Sequence, residues 1–148
     1  MELNSEKRAD RLVDWYGDGK EGSSPTREQW LRLLEKRGTP VTFINFFKMR
    51  AFADYQEGVS SSLSGQAAFD QYAAVSVPTV EKVGGKFLLL APFEASFIGA
   101  EEIWDLVAVG SYPTGEAALD LYENENYREA YKHRLAAVYD QKVLLCLA

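Results

Sequence analysis

Apolar and polar positions follow two different periods along the chain, and the period changes near residue 40. Before that point, apolar residues recur every three or four positions, which is typical of an amphipathic helix. The spacing predicts one helix that begins at Ser5 and ends at the 17–19 turn, and a second helix capped by Thr26 and ended by Gly38 and Pro40. Their apolar faces need cover, so we expect both helices to pack on the rest of the chain or on a partner subunit.

From Val41 onward the pattern predicts four strands and two helical regions. A helix capped by Ser64, after a Ser/Gly-rich loop over 54–64, joins the first two strands and is kinked at Pro78. A region capped by Thr114 and interrupted at 124–126 joins the last two strands. The order β-α-β-β-α-β predicts a four-stranded antiparallel α+β sheet with both helical regions on one face. The strands are placed at residues 41–50, 86–98, 103–112 and 142–148, with a bulge or break near Pro92 and a hairpin at Gly99.

The first predicted strand is apolar on both faces. Phe43, Asn45 and Phe47 alternate with Ile44 and Phe46. The helices can cover only one face of the sheet, and an uncovered apolar face is unusual for a soluble monomer. The pattern therefore predicts a homodimer that pairs through the free sheet face.

Charge divides the 148 residues at the same point as the hydrophobic pattern. Residues 1–40 contain eight acids and eight bases, and residues 41–148 contain fourteen acids and eight bases, so the net charge of −6 lies in the second part. We therefore predict a helical extension over 1–40 and an apolar domain over 41–148.

Composition excludes several classes of function. An acidic balance argues against nucleic acid as a partner, and no apolar run is long enough to cross a membrane. A polar amino terminus and the single Cys146 favour the cytoplasm. One histidine and one cysteine cannot form a His/Cys zinc site, and the chain lacks GxxxxGK[ST], GxGxxG and GxSxG motifs, so we predict no metal and no cofactor.

Two polar residues of the last helical region are candidates for chemistry. His133 is the only histidine and hence the only imidazole able to transfer a proton near neutral pH. Arg134 lies on the apolar side of its helix, so its guanidinium needs a partner: either a structural carboxylate such as Asp120 or Glu123, or an anionic ligand.

The remaining site residues follow from the expected topology. The predicted ligand-binding residues are Asn45, Phe47, Tyr72, Tyr112 and Arg134, with His133 as the catalytic candidate. They are expected to line a cleft between the sheet and the last helical region, because apolar walls with a few convergent polar groups are typical of small-molecule pockets. The Asn45 amide is expected either to bond nearby backbone or to face the cavity.

Three segments carry a resemblance to a known family. FINFFK, SGQAAFDQYAAVSVPTVEKVGGKFLL and WDLVAVGSYPTGEAALDLYENENYREAYKHR resemble domain-of-unknown-function family 1330, over about residues 41–148. The resemblance implies a ferredoxin-like fold of the dimeric α/β-barrel group, with the two N-terminal helices outside the usual domain, and it implies no particular reaction.

Three functions are consistent with the expected fold, the expected cleft and the family resemblance. The first is a cofactor-free enzyme that acts on a small, partly apolar, anionic metabolite, and the second is a non-catalytic binding or accessory module that uses the same cleft. The third, implied by related groups, is a haem-degrading or quinol-type monooxygenase, because Asn45, Trp104 and His133 are the residue types that haem-degrading relatives use.

Overall fold

Five helices and a four-stranded antiparallel sheet form the parts of the chain that this computed structural model describes, residues 4–55 and 62–148. Residues 56–61 of the predicted 54–64 loop lie outside the described residues. The elements, in chain order, are α1 (Ser5–Tyr16), α2 (Arg27–Glu35), β1 (Val41–Met49), α3 (Gly65–Lys82), β2 (Lys86–Pro92), β3 (Leu106–Tyr112), α4 (Gly115–Glu123), α5 (Glu125–Ala137) and β4 (Val138–Leu147).

The strands lie in the order β2-β3-β1-β4, and every neighbouring pair is antiparallel. This arrangement confirms the predicted α+β fold with a split pair of βαβ units. The central strand β1 places Phe43 opposite Gly110 and Leu145, and Phe47 opposite Gln141. Residues paired in this way project to the same face, so β4 contributes Gln141 to the helix side of the sheet.

Local capping explains where the helices begin. Thr26 forms a capping box with Gln29, and the side chains of Ser64 and Thr114 accept hydrogen bonds from the third helical N–H, as the sequence predicts. Asn124 ends α4, and its side chain accepts from the Tyr127 N–H at 3.0 Å to begin α5. One residue therefore produces the interruption predicted at 124–126.

The predicted strand bounds need correction. β2 stops at Pro92 rather than at residue 98, because proline has no N–H to donate to the neighbouring strand. Its irregularity lies between Phe87 and Leu89, and residues 93–105 form a long loop instead of a tight hairpin. β4 begins at Val138, directly after α5, rather than at 142.

The two N-terminal helices pack on their own chain. Ala9, Leu12, Trp30 and Leu34 share one hydrophobic core with residues of α4 and α5. Arg8 of α1 forms ion pairs with two residues of α4, Glu116 at 2.9 Å and Glu123 at 2.6 Å. Within the described ranges, no helix has both the length and the hydropathy needed to cross a membrane.

Gly115 marks a contact that tolerates no side chain. Its N–H approaches the carbonyls of Lys36 at 3.2 Å and Thr39 at 2.9 Å, and a Cβ added there would lie 2.3 Å from the Lys36 carbonyl oxygen. Gly115→Ala is therefore expected to lower the free energy of unfolding in urea by about 2 kcal/mol or more. Gly38→Ala is the matched control, because no atom of the described residues lies within 4 Å of its added Cβ. Equal stability of the two variants would contradict this account.

Candidate ligand-binding cavity

A cavity of about 550 Å³ lies between the helix side of the sheet and helices α3, α4 and α5. This volume is in the range of small-molecule sites. Five of the six predicted site residues line it together: Asn45, Phe47, Tyr72, Tyr112 and Arg134. β1 supplies the first two, α3 and β3 supply one tyrosine each, and α5 supplies the arginine.

Arg134 is the most unusual group in the cavity wall, because it is only 4% exposed. Its Nε and Nη2 donate to the Gln141 side-chain oxygen at 3.1 and 2.8 Å, and its Nη1 donates to the Tyr72 hydroxyl at 3.1 Å. The guanidinium carbon also lies 4.8 Å from the Phe47 ring centre and 5.2 Å from that of Tyr131. Aromatic faces attract cations, so the side chain is held on several sides by uncharged groups.

No carboxylate pairs with Arg134 among the described residues, so the predicted structural ion pair is not observed. Glu123, one of the partners considered, is bound to Arg8 and Arg11 instead. The neighbouring phenols do not supply a negative charge either. Burial raises the pKa of Tyr127 and of Tyr131 above the usual range, which keeps both hydroxyls protonated at neutral pH. The guanidinium charge is therefore not neutralised by these groups.

A cluster of tyrosines surrounds this charge. The Tyr72 and Tyr127 hydroxyls share a hydrogen bond of 2.6 Å, and the Tyr127 ring packs edge-on against Tyr122 with 5.3 Å between ring centres. Burial also raises the pKa of Tyr112, whose ring meets Phe43 edge-on at 5.7 Å. The Tyr72 hydroxyl accepts from Arg134 and so helps to orient the guanidinium, and tyrosine hydroxyls of the cavity wall can donate hydrogen bonds to a ligand.

The cavity is polar at its exposed margin as well as at Arg134. Gln66, Asp70 and Asp105 line it and are exposed. Asp105 is partly engaged, since one carboxylate oxygen accepts from the Met49 N–H at 2.7 Å. Asn45 lines the cavity and also donates to the Ala108 carbonyl at 3.0 Å, so both roles expected for its amide are present.

His133, the sixth predicted site residue, does not line this cavity, so the structure does not bring it together with Arg134 there. Its Nδ1 lies 2.6 Å from the Tyr55 hydroxyl, and the two rings meet edge-on with 5.6 Å between centres. Consecutive helical residues point about 100° apart, so α5 cannot direct both side chains to one place.

The three residues considered for haem chemistry are also separated. Asn45 faces the cavity, whereas Trp104 packs against Phe46, which projects from the opposite face of the sheet, with 5.9 Å between ring centres. The Trp104 indole donates to Glu102. His133 lies on α5 beside Tyr55. The chain does not bring these residue types together.

The carboxylates of Glu116, Asp120 and Glu123 lie within 4.8 Å of one another. Arg8 binds the first and the third, so this cluster is the attachment point of α1. The neighbouring carboxylates and partial burial raise the pKa of Asp120, with burial the larger cause.

Sequence reasoning missed Gln141, the residue that holds two Arg134 nitrogens. The strand predicted from the sequence begins at 142 and therefore does not include Gln141. Alternation from Gln141 through Val143 to Leu145 was the available signal, because these residues share the face that β1 presents with Phe43 and Phe47.

The fold and the cavity define an α+β protein whose four-stranded sheet and helices enclose a space of ligand size. The chain belongs to the family described as domain of unknown function DUF1330, whose profile matches residues 59–146. This confirms the family named in the sequence analysis.

Two crystal structures are similar to the chain. The methylated RPA0582 protein is 32% identical with a TM-score of 0.76, and the match covers 84% of this chain and 93% of that one. RPA0582, a protein of unknown function from Rhodopseudomonas palustris, is 31% identical with a TM-score of 0.75, over 84% of this chain and 95% of that one. A comparison with curated proteins gives no match.

The environment of His133 predicts a measurable pH dependence. Partial burial, and then the charge of Lys132, lower its pKa below the ordinary 6.5. The unfolded chain therefore binds more protons just below pH 6.5, so this histidine is expected to make the free energy of unfolding fall as the pH decreases through that range. The stability loss should level off once the folded protein is protonated.

An NMR titration of the single histidine measures this pKa directly. Lys132→Gln is expected to move it back toward 6.5, whereas Lys20→Gln, in the α1–α2 connection, is the control and should leave it unchanged. A wild-type pKa above 6.5 would contradict the prediction.

Proposed function

We propose that the cavity binds a small, partly apolar molecule through a carboxylate or a similar planar anion. The observation that carries the proposal is Arg134, a buried guanidinium at the cavity wall with no carboxylate partner in the described chain. An isolated buried charge is costly, and a ligand carboxylate would complete its coordination with the bidentate geometry that arginine favours.

The distribution of polar groups favours an amphipathic ligand with two unlike ends. Arg134 suits an anionic end at the buried wall, and Phe47, Phe69 and the tyrosine rings suit an apolar body. Asp70 and Asp105 at the exposed margin disfavour a second anionic group and suit hydrogen-bond donors instead.

Ligand binding without catalysis is the function that these groups support best. His133 is absent from the cavity lining, and burial keeps the pKa of the lining phenols Tyr112 and Tyr127 high. A cofactor-free enzyme is the second candidate. It is favoured by Tyr72, whose hydroxyl lies between Arg134 and Tyr127 in a hydrogen-bonded chain that could stabilise negative charge on a substrate oxygen.

We also propose that two copies pair through the outer face of the sheet, as in dimeric α/β barrels. Ile44 lies on that face, opposite Val109 on β3 and Leu144 on β4. Leu144 is 43% exposed, and Leu89 on β2 is 48% exposed. Because the centre of this face is apolar, a second copy related by a two-fold axis would match it with the same surface.

Calorimetry with 2-naphthoate and its neutral isostere 2-naphthamide tests the ligand proposal. The acid is expected to bind about tenfold more tightly than the amide, because only the acid offers a carboxylate to Arg134. Arg134→Gln should abolish this preference, and Arg134→Lys should keep part of it, since lysine retains the charge without the planar fork.

Controls separate loss of the contact from loss of the fold. Lys132→Gln removes a positive charge from an exposed position of the same helix and should leave the preference unchanged. Ala73→Phe should block the cavity from α3 while leaving Arg134 in place. Equal binding of the acid and the amide by the wild-type protein would overturn the proposal.

Light scattering of the eluting protein tests the pairing of two copies. The wild-type chain is expected to have twice its monomer mass of 16.6 kDa. Leu144→Lys places a charge on the outer sheet face and should give a monomer, because an unpaired charge would be buried in the interface. Leu135→Lys, at a 40% exposed position on α5, should remain dimeric. A monomeric wild type would contradict the proposal.

A further inference from the structure

The charged residues that line the cavity lie at opposite ends of it. Arg134 lies at the buried wall, and Asp70 and Asp105 lie at the exposed margin. None of the three forms an ion pair within the described ranges of the chain. The cavity therefore has a positive end and a negative end, and neither is neutralised by an ion pair with the protein.

Asp105 is held in the sheet layer, immediately before β3. Its backbone N–H donates to the Phe47 carbonyl at 2.7 Å, and one of its carboxylate oxygens accepts from the Met49 N–H, also at 2.7 Å. Its other carboxylate oxygen has no hydrogen-bond partner among the residues that the structure describes. The carboxylate is thus positioned by β1 and keeps one oxygen available to a ligand.

Asp70 provides a second carboxylate from the helix layer. It lies on α3, where its Oδ1 accepts from the Gln66 side chain, one turn earlier, at 3.0 Å. Asp70 and Asp105 are both exposed, so a ligand at the cavity margin can reach them. A calcium ion needs about six to eight oxygen ligands, which two carboxylates do not supply, whereas each of them can accept a hydrogen bond from an ammonium group.

Phe47 connects the two charged ends of the cavity. Its ring centre lies 4.8 Å from the Arg134 guanidinium carbon, and its carbonyl accepts from the Asp105 N–H. The same ring packs against Phe69 with 5.0 Å between ring centres, which gives the space between the ends an apolar wall. Because one residue contacts both ends, a ligand whose charged groups are separated by one or two aromatic rings has a suitable length.

We infer that the ligand of this cavity is an amino carboxylate, with a carboxylate at one end of an apolar body and a protonated amine at the other. The inference rests on the proposed function, which places the carboxylate at Arg134, and it assigns the amine to Asp105 and Asp70. Once Arg134 is paired with a carboxylate, the remaining charges of the lining are both negative. They attract a cationic group at the margin and repel a second anionic group.

Calorimetry with two probes of nearly the same shape tests the cationic end. 6-(Aminomethyl)-2-naphthoate carries an ammonium group at neutral pH, and 6-(hydroxymethyl)-2-naphthoate carries an uncharged hydroxyl at the same position. The amine is expected to bind about threefold more tightly than the alcohol, since ion pairs at exposed positions contribute modestly. In about 1 M salt, where the Debye length is about 3 Å, this preference should nearly disappear.

Isosteric variants identify the carboxylates responsible. Asp105→Asn and Asp70→Asn should each reduce the preference for the amine, and the double variant should remove it, because asparagine keeps a side-chain oxygen without the charge. Asp70→Asn, on the exposed side of a helix, keeps the test valid if Asp105→Asn weakens the fold. Asp14→Asn is the matched control, since this exposed residue of α1 does not line the cavity and its substitution changes the net charge equally. An equal loss of preference in all three single variants would indicate a general attraction of the acidic protein for cations and would overturn the inference.

The two ends of the site fail in distinguishable ways. A wild type that prefers 2-naphthoate to 2-naphthamide but binds the amine and the alcohol equally would retain the proposed function and overturn the assignment of an amino carboxylate. A wild type without the preference for the acid would overturn both. Arg134→Gln is expected to lose the preference for 2-naphthoate over 2-naphthamide and to keep the preference for the amine over the alcohol, because Asp70 and Asp105 are unchanged.

Discussion

The fold depends on a buried positive charge that neutral groups hold in place. Arg134 could pack as an ordinary core residue only if a carboxylate faced it, and among the described residues none does. Its bonds go instead to one amide and one phenol, and its flat faces meet aromatic rings. Because each contact is weaker than an ion pair, α3, α5, β1 and β4 must all be positioned together to compensate for the lost hydration.

Gln141 extends this constraint to the amino-terminal part of the chain. Its oxygen holds Arg134, while its nitrogen donates to the Gly22 carbonyl, and the nearby Tyr131 hydroxyl donates to the Ser23 carbonyl at 2.9 Å. The α1–α2 connection is thus bonded to the same groups that position the guanidinium. The N-terminal helices consequently share one hydrophobic core with the sheet.

The sequence predicts this molecule best where local chemistry decides the outcome. Thr26, Ser64 and Thr114 begin helices because their side chains bond N–H groups three residues away. The start of β4 was missed, because residues 138–141 follow a helix and become a strand only by pairing with β1. Tertiary pairing of this kind overrides local propensity.

The same distinction between local chemistry and tertiary structure applies to the residues of the candidate site. An arginine on an apolar helix face is a local inconsistency that the sequence shows, and the five residues expected to bind a ligand line one cavity. His133 was chosen for its chemistry alone, and the turn of the helix directs it elsewhere, toward Tyr55. The absence of a carboxylate beside Arg134 could not be foreseen, because it depends on Glu123 being bound to Arg8 and Arg11, more than a hundred residues away in the chain.

Because its hydrogen-bond partners are neutral, Arg134 keeps a positive charge that an ion pair would neutralise. A carboxylate would neutralise the charge, whereas the Gln141 side-chain oxygen and the Tyr72 hydroxyl orient the guanidinium and leave it able to attract an anion. The protein as a whole carries a charge of −6, and Asp70 and Asp105 line the cavity margin, so attraction at long range would be weak. Selection of an anion would then act at contact distance, where a planar ligand group can meet the fork of the guanidinium and the rings around it can exclude water.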